Sequence, residues 1–118
     1  MSDVLTRVRE AALALPGTEE RLSHGQPTFF VGGKQFAQFR QNHHGDQKTV
    51  VCVRVGSLDE QAMLLDADPD TYSRPAYLPS WISINLAGGD IDWDHVGDRI
   101  AMSWELAAPR RLLEAGGR

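Results

Sequence analysis

Lys34, Phe36, Gln38 and Arg40 fall on alternate positions of one stretch, and Lys48 and Arg54 flank the next apolar run. In an extended chain alternate side chains share a face, so this spacing can present cations, an amide and an aromatic ring together. That combination suits nucleic acid: Lys34, Arg40, Lys48 and Arg54 would neutralise phosphates, Gln38 would reach a base edge, and Phe36 would offer a stacking surface. Charge singles out the same region. Residues 21–54 hold five basic side chains against the single acid Asp46, a net of +4, while the rest of the chain is at −8. All four phenylalanines and five of the six glutamines lie there too. One reading is therefore a basic strand-and-hairpin surface that contacts DNA weakly and with strong salt dependence, since so few cations and a total charge of −4 limit phosphate neutralisation. The competing reading leaves these side chains as a solvated sheet face, with a bulge turning Phe36 into the core.

Tyr72, Tyr77 and Trp81 form a second grouping around Pro75 and Pro79. Amphipathic aromatics so placed can line a cleft for a small molecule or a protein partner, or simply pack at an edge. The remaining reactive side chains do not assemble into a recognised chemistry. His43 and His44 are adjacent and would point apart on a strand, and neither His24 nor His95 supplies a second clear ligand pair, so no metal site is assigned. Cys52 sits inside a β-branched run and reads as a small apolar group. Ser23-His24 lacks the glycines of a nucleophile elbow, and Gly32-Gly33 lacks the spacing and following helix of a phosphate loop. Asp90, Asp92 and Asp94 lack a calcium loop's terminal glutamate and read as helix-start carboxylates. His24, before Gly25, reads as a turn residue bonded to backbone. The chain is accordingly expected to be no enzyme, to require no cofactor and to carry no catalytic residue.

The elements that must position these groups follow from periodicity. Val4, Val8, Ala11, Ala12 and Leu15 share a helical face that Ser2 or Asp3 can cap and Pro16-Gly17 ends. Strands are expected near residues 28–31 and 34–41 about a Gly32-Gly33 hairpin, and again at 48–55, where Val51, Val53 and Val55 take one face and Lys48, Val50, Cys52 and Arg54 the other. Ser57 and Glu60 form a capping box for a helix with Leu58, Ala62 and Leu65 inward. The segment at 72–79 is too rich in proline for a central strand, and a strand at 81–86 is followed by a helix with the stripe Trp93, Val96, Ile100, Trp104 and Ala107. At 118 residues and 42% hydrophobic, the chain fits one α+β domain over residues 1–118, with helices packed on one face of a single antiparallel sheet. It shows no signal peptide or membrane-length apolar run, and a lone cysteine suits a reducing compartment, so a cytoplasmic location without membrane contact is expected.

Several short motifs follow one another along this chain. They are Leu15-Pro16-Gly17-Thr18-Glu19-Glu20, His24-Gly25-Gln26-Pro27-Thr28-Phe29, Val31-Gly32-Gly33-Lys34-Gln35-Phe36-Ala37, a strand centred on Trp81, Asp92-Trp93-Asp94, and Ser103-Trp104-Glu105-Leu106. In this order, over almost the full length, they resemble the MmcQ/YjbR family of small bacterial α+β proteins. The resemblance implies that family's fold and its description as DNA-binding through a double-wing motif. It carries no agreed functional residues across. Family members often have glycine before the tryptophan, where this chain has Pro79-Ser80-Trp81.

Overall fold

A computed structural model describes residues 3–42, 45, 47–88 and 90–114. Ser2, His43, His44 and Asp46, assigned roles in the sequence analysis, lie outside the described residues. The order is α1 (Asp3–Leu13), β1 (Thr18–Ser23), β2 (Gln26–Val31), β3 (Lys34–Gln41), β4 (Thr49–Arg54), α2 (Leu58–Ala67), β5 (Tyr72–Ser73), β6 (Trp81–Asn85), α3 (Trp93–Ala107) and α4 (Arg110–Glu114). The six strands form one antiparallel sheet in the order β1-β2-β3-β4-β6-β5.

The core lies between one sheet face and the helices. Val8 and Ala12 of α1, and Val96, Ile100, Trp104 and Ala107 of α3, bury against Phe29, Val51, Val53, Ile82 and Ile84. This is the α+β layering that the apolar periodicity requires. Both strand parities hold: Val51 and Val53 face the helices, whereas Val50, Cys52 and Trp81 form a separate cluster with Leu78 on the opposite face. Asp92 caps α3 by accepting from the His95 amide, and Ser57 caps α2 by accepting from Glu60.

One strand, β1, lies outside the sequence expectations, and the inward face of α2 is corrected. β1 carries the residues Thr-Glu-Glu-Arg-Leu-Ser at the sheet edge, where one side of its backbone is unpaired, and its charged side chains hide the alternation that marks a strand. In α2, Leu58 is 63% exposed and Ala62 is exposed, while Gln61 turns inward to donate to the carbonyls of Pro79 (3.0 Å) and Trp81 (2.7 Å). Specific hydrogen bonding overrides helical hydrophobicity there.

A bulge in β3 decides what the other sheet face presents. Phe29 pairs with Ala37 but Phe30 pairs with Gln35, which leaves Phe36 as the extra residue. Parity flips across it: Phe36, Ala37 and Phe39 all enter the core, and Gln35, Gln38 and Arg40 look the other way. Ser103 of α3 holds the interrupted ladder, its hydroxyl donating to the Phe36 carbonyl and accepting from the Arg54 amide at 2.8 Å.

Candidate functional site: a cleft on the open sheet face

The face turned away from the helices is crossed by the chain between β5 and β6. Arg40 Nη1 donates to the Ala76 carbonyl at 3.1 Å, and Leu78 packs on Val50, Cys52 and Trp81. Between this strap and the β1–β2 hairpin opens a cleft of about 610 Å³, lined by Ser23, His24, Gln26, Gln35, Gln38, Arg40, Tyr77 and Leu78. Its volume suits a small molecule. No acid lines it.

Its floor is held by a relay of polar side chains. Arg40 Nε donates to Gln38 Oε1 (2.8 Å), Gln38 Nε2 donates to Thr28 Oγ1 (3.0 Å), and Thr28 Oγ1 donates to the Gln26 carbonyl (3.0 Å). Gln38 is 5% and Arg40 7% exposed. A buried guanidinium is costly without a compensating anion, yet Arg40 has no carboxylate partner among the described residues. Nε and Nη1 are committed, and Nη2 has no partner among those residues.

Backbone geometry marks the rim. His24 and Gly25, with φ of 53° and 79°, make the two-residue turn between β1 and β2, as Gly32 and Gly33 do between β2 and β3. The hairpin fixes His24 in the left-handed region, so its role in the turn is conformational; its side chain has no hydrogen bond among the described residues. Tyr77 is also left-handed, at φ 67°, and its side chain is 80% exposed.

The six residues proposed for nucleic-acid contact are dispersed by this geometry. Phe36 is fully buried in the core, because the bulge reverses its direction. Gln38 and Arg40 belong to the cleft floor. Arg54 is half-buried, stacks 5.1 Å from the Trp81 ring centre and donates to the Gln35 carbonyl at 2.8 Å; burial lowers its pKa below the ordinary arginine value. Lys34 and Lys48 are exposed, but they flank opposite ends of β3, whose eight residues span roughly 20–25 Å. The aromatic trio also divides. Tyr72 is buried on the helix side, where its hydroxyl hydrogen-bonds His95 Nε2; Trp81 is buried on the other face; only Tyr77 reaches the cleft. Cys52 is fully buried against Ser83. Sequence reasoning missed Ser23, Gln26, Gln35 and Leu78 as residues that line the cleft with Arg40. The glutamine enrichment was the available signal.

Comparison with known families supplies the decisive match, since the YjbR family model covers residues 13–106. The chain belongs to the YjbR family. Among solved structures, a Deinococcus radiodurans protein, DR2400, with the family domain DUF419, is similar to this YjbR chain with a TM-score of 0.74 and 17% identity, over 91% of this chain and 80% of that one. At that identity the likeness speaks for the fold alone. A comparison with curated proteins found no match. No helix among the described residues is long and apolar enough to cross a membrane.

Proposed function

We propose that this YjbR protein is a non-enzymatic binding module that takes a small ligand in the open-face cleft. One observation carries the reading: Arg40 is 7% exposed, lines the cleft and has no carboxylate partner among the described residues. A bound group would complete a polar relay that is otherwise already fixed, and a pre-organised floor reduces the ordering cost of binding. DNA contact through the basic meander is the weaker reading, because only Lys34 and Lys48 of its four cations are exposed, at opposite ends of a strand.

An amide-resolved NMR titration of the full chain separates the two. The probes are a mixed set of small anionic, neutral and cationic compounds and a short DNA duplex, each at low and moderate salt. Shifts at Gln35, Gln38, Arg40 and Tyr77 with a small compound, persisting at moderate salt, support the cleft. Shifts confined to the surroundings of Lys34 and Lys48, produced by the duplex and erased by salt, would transfer the function to nucleic acid.

A further inference from the structure

The lining of the cleft also restricts what can fill it. Resting on the binding reading above, we infer that the ligand is a small carboxylic acid carrying a planar ring, its carboxylate on Arg40 and its ring against Tyr77. Among the described residues, Arg40 is the sole arginine in the lining, which holds no lysine, no acid and no helix N-terminus. The site therefore matches one negative charge, which fits a carboxylate better than a phosphate dianion. Nη2 is the guanidinium donor left uncommitted among the described residues, and Gln38 fixes the plane of the group through its 2.8 Å bond to Nε. Gln26 and Gln35 add amide side chains to the same lining. A carboxylate here would neutralise a buried charge that has no carboxylate partner among the described residues, which is where a charge-assisted hydrogen bond is strongest.

The strap adds an aromatic and an apolar side chain to the same lining, Tyr77 and Leu78. Tyr77 is 80% exposed and Leu78 lies behind it on the strap. A large exposed ring held at φ 67° is a strained arrangement, and strain of this kind concentrates at ligand clamps. A planar ligand could stack on this exposed ring.

The test compares indole-3-acetate with its neutral amide, indole-3-acetamide, and with acetate and inorganic phosphate, by calorimetry and amide-resolved NMR on the full chain. The expected result is binding of indole-3-acetate with shifts at Gln35, Gln38, Arg40 and Tyr77, at least about 10-fold tighter than the amide or acetate, and phosphate no tighter than acetate. Arg40→Gln should abolish the preference for acid over amide. Tyr77→Ala, at an exposed position, should weaken indole-3-acetate several-fold and leave acetate unchanged, which keeps the idea testable if the Arg40 variant does not fold. Equal binding of acid and amide at the cleft would overturn the carboxylate assignment while leaving the binding module intact. Absence of cleft shifts with every probe would overturn the carboxylate assignment, and the mixed set and duplex above would then decide the wider reading independently.

Discussion

Tyr72 shows how placement alters a single side chain. Burial raises its hydroxyl pKa above the ordinary tyrosine value, with Arg99 opposing the shift and Asp68 reinforcing it. The folded value thus exceeds the unfolded one, so the contribution to stability is fully present below about pH 10 and is lost as pH rises through the folded value. Alkaline titration followed by ultraviolet absorbance should show a late-ionising tyrosine that Tyr72→Phe removes, together with a smaller alkaline fall in the denaturant midpoint. Unchanged titration in the variant would refute the assignment. Ser103 makes a comparable point for an uncharged group. Its hydroxyl serves both the Phe36 carbonyl and the Arg54 amide, so Ser103→Ala leaves one buried and one part-buried backbone group without that partner and should lower stability by about 1–3 kcal/mol in denaturant unfolding. A serine that merely filled space would give a nearly neutral alanine variant.

At the scale of elements, the hairpin between β2 and β3 is constrained on two counts. Gly32 has φ 57°, and a Cβ there would lie 2.9 Å from the Pro109 ring, whereas Gly33 has φ 82° with open space around it. Alanine at Gly33 should cost roughly 1–2 kcal/mol for the left-handed backbone. Alanine at Gly32 should cost more, because the rigid Pro109 ring must also move. Equal losses of thermal stability would show that the turn does not press on the start of α4. The glycine pair was legible as a turn in the sequence; its contact with Pro109 was not, because that contact joins segments some 75 residues apart. β1 is the opposite case. A charged edge strand has no apolar alternation to read, and it forms because β2 presents a complementary backbone.

Across the whole molecule, Trp104 joins the layers. It is fully buried between α3 and the sheet, and its indole nitrogen donates to the Pro16 carbonyl at 3.0 Å, tying the last long helix to the end of the first. Trp104→Ala should cost about 3–5 kcal/mol, read from the denaturant midpoint, and an unchanged midpoint would mean that this helix face is not core. The helical stripe of α3, the valine parity of β4, the Ile82 and Ile84 face of β6 and the family motifs were all present in the sequence by itself, because period and local turn chemistry are properties of neighbouring residues. The site was not. One bulged residue sent Phe36 into the core and turned Gln35 toward Gln38 and Arg40, and a proline-rich strap brought Tyr77 and Leu78 across to them. Residues grouped by charge in the sequence were thereby separated, and residues from distant segments were joined, because side-chain direction after a bulge and the path of a strap depend on long-range pairing and packing.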